Sequence, residues 1–539
     1  MAIRSSFLVL LTPLLLACQS SPLALMPEQN FEQDLVALQD YFHIPGLAAL
    51  VTKNGEVIYE NYLGYADLQQ KQQVDSTTLF PIASVTKSFA AVLALKLAES
   101  GTLDLEQSVN SYLPDQGLSD SVKVKHLLSH TSEGVPGSFF NYSYRYSQLT
   151  TILEQAGGRS LDSLMSEHII DAFNLQHTVA LMDQAVVDKL QADLAQPYLF
   201  YGETEPGHFD PGFSTASGLA STVRDLASFD QSLMEGKLIS DNSRERMFTP
   251  FPTTYGISPY GIGIFSQEFM GKKIVWGYGQ EDCFSSLYLK VPSQDLTLIL
   301  LANNNLMSDP ARLINGDITY SLFALSFFKH FVWPDELYGQ NRRRLPLFEE
   351  NPVLDSTLVE GTRGPLIRQQ LLAQALAASF MGQGFPEEYA RSRHWTETAF
   401  QHFPQYRHYG NQTLLKLLTE LARQGEYGDF RDFGDFDKVV QELGNQLLDV
   451  YPYDPYSNVY MGLFYQQRQE PERALKYFQA LDQALDFAPF WYTLEAWEFL
   501  GEYYEPEDPE RARGYYQKII DLGWNMGGVV DRARVKLRD

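Results

Sequence analysis

Apolar positions recur at helical spacing from Phe31 to Tyr41, and then the period changes. Ala48 to Thr52 and Val57 to Tyr62 read as strands joined at Asn54-Gly55, a two-residue hairpin signal. Ser88 to Ser100 predicts a helix stopped by Gly101, a residue suited to the left-handed position past a helix end. Ile274 to Trp276, Ser285 to Val291 and Leu296 to Ala302 alternate or run apolar, as strands of one antiparallel sheet do. Strands at both ends with helices between predict an α+β domain whose sheet is completed by N- and C-terminal strands and flanked by helices.

Past Pro334 the pattern changes. Asn341-Arg-Arg-Arg-Leu-Pro346 is a charged, proline-bearing link, and almost everything after Arg363 has helical spacing, which predicts an all-helical domain over residues 345–539. Within it Gly462, Tyr465, Ala474 and Phe478 are echoed by Gly501, Tyr504, Ala512 and Tyr516, a near-repeat of roughly forty residues. Small residues there let paired helices approach while aromatics fill the groove, as in the tetratricopeptide units this stretch resembles; an ordinary helical bundle is the other reading. Leu414 to Val450 would add another helical pair. A helical domain of this kind offers a surface for a protein partner.

At the N-terminus Arg4 supplies a positive charge, Phe7 to Leu16 is mostly apolar, and Leu15-Leu16-Ala17-Cys18 ends the run. The run is well short of the roughly 20 apolar residues of a membrane-spanning helix, so it reads as an export signal over residues 1–18. Leu-Leu-Ala-Cys resembles the bacterial lipobox, which implies a lipid on Cys18, and Gln19 after it implies sorting to the outer membrane, facing the periplasm. A plain cleaved signal is the alternative. Residues 19–30 then read as a polar tether, and 31–335 as the α+β domain.

Length and charge narrow the picture further. At 539 residues the chain is long enough for two cores. Its 41 lysines and arginines against 67 acidic residues leave a formal net charge of −26, which repels a phosphate backbone and excludes nucleic acid as a partner. Beyond Cys18 only Cys283 remains, so lipidation would leave no intrachain disulfide, and Cys283 reads as a small buried hydrophobe.

The sharpest chemical signal is Phe80-Pro-Ile-Ala-Ser84-Val-Thr-Lys87, with serine and lysine three apart where the chain enters a helix. One turn puts both side chains on the same face, so the lysine can help deprotonate the serine. The helix N-terminus adds partial positive charge and unpaired N–H groups, favouring a serine alkoxide and an oxyanion beside it. Alone, Ser-x-x-Lys would occur about once or twice by chance in a chain this long.

Context supplies the specificity. Gly101-Thr-Leu-Asp-Leu105, then Val124-Lys-His-Leu-Leu-Ser-His-Thr-Ser132, Pro211 to Asp225 and Tyr260-Gly-Ile-Gly263 follow in order. Together with Ser84 and Lys87 they resemble the penicillin-recognising serine hydrolases: class C β-lactamases, D-alanyl-D-alanine carboxypeptidases and related esterases. The resemblance covers roughly 300 residues and implies a β-lactamase/transpeptidase-like fold. Glu133 interrupts the "HLLSHTSG" block, whose histidines, His126 and His130, belong with His177 to the scaffold, and no metal or cofactor is implied.

The family's Tyr-x-Asn motif falls on Tyr142-Ser-Tyr144, so Tyr142 matches the catalytic tyrosine and Tyr144 stands at the asparagine; a different register would bring Asn141 or Tyr146 to the key site. A tyrosine, with its ordinary pKa near 10, acts as a base only if neighbouring cations lower that value. The family's third motif, Lys-Thr-Gly or His-x-Gly, aligns with Gly277-Tyr278-Gly279, so the cation is gone. Tyr144, Tyr278 and Gly279 are expected at the substrate, and the N–H groups of Ser84 and Gln280 at the oxyanion.

The implied chemistry is a covalent acyl-enzyme formed on a small ester or a D-amino-acid amide or peptide in the cell envelope, with penicillins disfavoured by Gly277. The alternative is a catalytically weakened binding protein whose helical domain docks a partner.

Overall fold

The computed structural model describes residues 27–116, 118–255, 258–308, 313–333, 345–354, 359–360, 364–403, 412–423, 436–483, 490–523, 525 and 528–538. Cys18, the export signal and most of the tether lie outside the described residues, as do residues 341–344 of the charged link. The last four residues assigned to the tether are helical instead: helix α1 spans Pro27–Tyr41, with Pro27 at its first position, where a missing N–H costs nothing.

Strands β1 (Gly46–Lys53) and β2 (Glu56–Asp67) form the predicted hairpin. Its turn residues Asn54 and Gly55 have φ of 53° and 77°, the left-handed pair that matches the twist of the strands. β3 (Gln72–Gln73) edges this side of the sheet. Four C-terminal strands, β9 (Phe265–Phe269), β10 (Lys272–Glu281), β11 (Phe284–Val291) and β12 (Leu296–Ala302), complete an antiparallel sheet of order β3-β2-β1-β12-β11-β10-β9. β1 closes the middle against β12, Leu47 opposite Ala302 and Lys53 opposite Leu296.

Both faces of the sheet are covered, which is why β12 reads as an unbroken apolar run. Leu47, Ala49, Leu298 and Leu300 face α1 and the helix Leu322–Phe327, while Ala48, Leu50, Ile299 and Leu301 face helix α2 (Thr86–Glu99). Between the two halves lie the short strands β4 (Phe80–Pro81), β5 (Val179–Ala180), β6 (Tyr198–Phe200), β7 (Thr204–Pro206) and β8 (Leu219–Ser221). The domain is thus α+β, in the β-lactamase/transpeptidase-like arrangement.

From Gly364 onward the described residues are helical, beginning with Gly364–Met381, Glu388–His402 and Gln412–Arg423. In the pairs Pro455–Gln467 with Pro471–Gln483 and Phe490–Tyr504 with Pro509–Leu522, one contact repeats. A Cβ at Gly462 would lie 2.8 Å from the Phe478 ring, and one at Gly501 would lie 2.6 Å from that of Tyr516.

The two domains share a core. Helix Gly364–Met381 is buried almost all round: Leu366, Ala373, Ala377 and Met381 pack with Phe323, Phe327 and Leu306 under the sheet, while Leu371, Leu372, Ala375 and Leu376 join the helical domain's own cluster. Around this seam Tyr41 Oη donates to Glu388 Oε2 at 2.6 Å and Asn315 Nδ2 to Thr413 Oγ1 at 3.0 Å. Phe139 also stacks on Tyr451 at 4.6 Å, just ahead of Tyr142 in sequence.

Candidate active site

Short strand β4 delivers the chain to a 3-10 turn, Ala83–Val85, that runs straight into α2 and carries Ser84 at the helix mouth. β8 holds this approach from the side, Phe80 opposite Ser221 and Pro81 opposite Ala220, and the Ile82 N–H donates to the Leu219 carbonyl at 2.9 Å. The Gly218-Leu-Ala-Ser-Thr222 block is therefore a brace for the nucleophile turn. Ala83 sits at φ 45°, a left-handed conformation strained for a residue with a Cβ, directly before Ser84.

Lys87 lies on the same face as Ser84, its Nζ 3.0 Å from Ser84 Oγ and 2.9 Å from the Ala216 carbonyl, to which it donates. Burial lowers its pKa to about 7, partly opposed by the negative charge of Glu281. Near neutrality much of the amine is unprotonated, and the 3.0 Å contact can run from Ser84 Oγ–H to Nζ. That is a nucleophile with its base in place.

The alternative registers for the tyrosine separate here. Tyr142 hydrogen-bonds the Ser84 side chain, with Lys87 Nζ 5.1 Å from its ring centre. Tyr146 is buried and spends its hydroxyl on the Lys87 carbonyl at 3.0 Å, and the Asn141 N–H donates to the His130 carbonyl. Tyr142 is thus the tyrosine at the serine. Burial pushes the phenol well up and outweighs the lowering by the Ser84 hydrogen bond, so it is a proton donor at neutral pH and not the base considered from sequence.

β10 forms the opposite wall. β9 stops pairing with it at Trp276, opposite Phe265, so among the described residues the edge from Gly277 to Glu281 has no strand beside it on that side. Gly279 abuts the nucleophile turn; an added Cβ would lie 2.2 Å from the Ile82 carbonyl oxygen and 2.3 Å from Ser286 Oγ. Only glycine allows strand and turn to come this close.

Gly279→Ala is accordingly expected to cut covalent labelling of Ser84 by at least about a hundredfold, the scale of losing an oxyanion donor. Gly277→Ala, whose Cβ would make only a 3.4 Å contact with Ser88 Oγ, is expected to label normally. Intact-protein mass against time reads both.

Other expected site residues part company. Tyr144 is 81% exposed, its side chain outside the pocket, whereas Tyr278 is 6% exposed and packs with Phe265 and Trp276 behind Tyr142, centroids 6.1 Å apart. Glu133 is buried, with the Arg145 guanidinium 3.9 Å away, and burial raises its carboxyl to about 7. Cys283 is buried and its thiol is pushed up to about 11, so it is packing and not a thiolate. Among the described residues no cluster of His, Cys, Asp or Glu is placed to hold a metal ion.

A model of the Beta-lactamase family matches residues 31–318, more than half of the chain. The chain belongs to the Beta-lactamase family. The matched domain is followed by a helical one. Protein flp of Staphylococcus aureus (strain MW2) is 26% identical over 308 residues, 49% of this chain and 60% of that protein. The chain spans about three fifths of the length of the first curated relatives it matches. The octameric penicillin-binding protein homologue from Pyrococcus abyssi matches with a TM-score of 0.50 and 22% identity, over 56% of this chain and 77% of that one, a likeness of fold.

Two residues of this Beta-lactamase family site were not legible from motifs. His130 stacks on Tyr142 at 4.2 Å and accepts from the Ser143 N–H at 3.0 Å, so a histidine assigned to the scaffold sets the phenol ring. Glu281, two residues past Gly279, carries the acid that acts on Lys87. The strand's period of two could have flagged it, since Gly277, Gly279 and Glu281 share one face.

Proposed function

We propose that this protein hydrolyses a small ester or a D-amino-acid amide or peptide through a covalent acyl-enzyme. The observation that carries the reading is the Ser84–Lys87 contact of 3.0 Å beside an amine whose pKa is held near 7. Ser84 Oγ attacks the carbonyl carbon as its proton passes to Lys87 Nζ, and the carbonyl oxygen takes the negative charge at the N–H groups of Ser84 and Gln280. The Tyr142 hydroxyl gives its proton to the leaving oxygen or nitrogen and is reprotonated from Lys87. Water then repeats the sequence on the ester of Ser84, releasing the acid. Lipidation of Cys18 would hold the enzyme at the outer membrane, and mass spectrometry of the mature N-terminus tests that anchor.

A second reading, a weakly catalytic binding protein, is favoured by Gly277, which leaves no side chain where the family resemblance implies a cation. Intact mass after a fluorophosphonate, and separately after a penicillin, decides between them. A fluorophosphonate adduct lost in Ser84→Ala, with little or no penicillin adduct, is expected; no adduct from the fluorophosphonate would overturn the hydrolase reading in favour of the binding protein.

A further inference from the structure

The edge of β10 beside the nucleophile turn has a direction. At its start Tyr278 packs beside Tyr142, the phenol that protonates the leaving group, with ring centres 6.1 Å apart. At its end stands Glu281, past the Gln280 N–H and opposite Phe284. A carbonyl at Ser84 whose leaving group is protonated by Tyr142 would have its acyl substituent on the Glu281 side of the edge. Strand alternation turns Glu281 to the same face as Gly279, whose neighbours are Ile82 and Ala83 of the nucleophile turn.

Among Gly277, Tyr278, Gly279, Gln280 and Glu281 the edge carries one acid and no basic residue. Position 277 carries no side chain, and position 281 brings a carboxylate whose charge acts on Lys87. Burial and the neighbouring Asp282 both disfavour the ionised carboxylate. A cation placed beside it relieves both, and Lys87 is already engaged with Ser84 and Ala216.

We propose that Glu281 is a specificity-determining residue that selects substrates whose acyl portion carries a protonated amine, such as esters or amides of amino acids with a free amino group, over neutral or carboxylate-bearing ones. This rests on the serine hydrolase reading above. The preference comes from pairing the ammonium with a partly desolvated acid, and from like-charge repulsion of an anion.

The test uses three fluorophosphonates identical but for the end of a short alkyl arm: a primary ammonium, its N-acetyl derivative, or a carboxylate. Each transfers phosphorus to Ser84 Oγ with loss of fluoride, and the labelling rate is read by intact mass at pH 7.5. The ammonium probe is expected to label at least about tenfold faster than the carboxylate probe. In Glu281→Gln the ratio is expected to fall to within about twofold, with the neutral probe unchanged. Glu235→Gln, at an exposed acid on the far helix Val223–Met234 and its end, controls for the net negative charge and should keep the ratio.

Equal wild-type rates, or a ratio that survives Glu281→Gln, would overturn the proposal while leaving the hydrolase reading intact. Should that variant fail to fold, Glu281→Ser is read in its place. No Ser84 adduct from any of the three would remove the hydrolase reading first, and the amine preference with it.

Discussion

A chain ended at Trp333 is expected to be insoluble or molten, and to lose labelling of Ser84, although it keeps the whole matched region. The reason is the seam under the sheet, where Leu366, Ala373, Ala377 and Met381 belong to the same cluster as Phe323 and Phe327. Removing the helical domain exposes that face. Burial of a large apolar side chain contributes about 1.5–3 kcal/mol, so losing Leu366 and Met381 alone removes an amount comparable to much of a typical stability of 5–15 kcal/mol. Thermal melting, solubility and labelling of the truncated chain, beside Ala377→Asp in the full chain, measure the effect. A soluble truncation that melts and labels like the full protein would show that the helical domain is a dispensable attachment.

The second large effect concerns Lys87. Because the base must be unprotonated, kcat/KM is expected to rise about tenfold per pH unit below 7 and to level off above it, with the bend near the lysine's value of about 7. Lys87→Met should cost about a hundredfold to ten-thousandfold in rate and erase that bend. Stability should also rise with pH, but in a higher window. The folded pKa lies below the unfolded one, near 10.5, so the unfolded chain binds more protons between the two values and stability rises with pH across that window. Below pH 7 the full cost of burying the ammonium is present, and there Lys87→Met should melt higher than the wild type. A flat pH profile for both rate and melting would mean another group is the base.

Much of this was legible because local chemistry and tertiary need coincide. Asn54-Gly55 specifies a turn that only left-handed residues make, and the Ser84–Lys87 spacing specifies a shared helix face whatever surrounds it. Both are present in the fold. What escaped depended on partners distant in sequence. The shared core was hidden because helix Gly364–Met381 shows no single apolar stripe, and a helix apolar all round does not say which of its neighbours belongs to another domain. Tyr142 matched its motif, yet the direction of its acidity follows from burial among His130, Tyr278 and Phe265, which no spacing encodes. Glu281 falls just outside the third motif, and its meaning comes only from the strand face it shares with Gly279.

The pairing of β1 with β12 also sets the order in which this chain can become a protein. Gly46 and Ala302 stand almost opposite one another at the middle of the sheet, so β1 lacks its second partner until β12, about 230 residues past the hairpin, has emerged, and contacts this distant in sequence form slowly. The catalytic serine is laid down early, but its wall, β10, arrives with the last strands. During synthesis the hairpin and the nucleophile turn wait for their wall until more than half of the chain has been made.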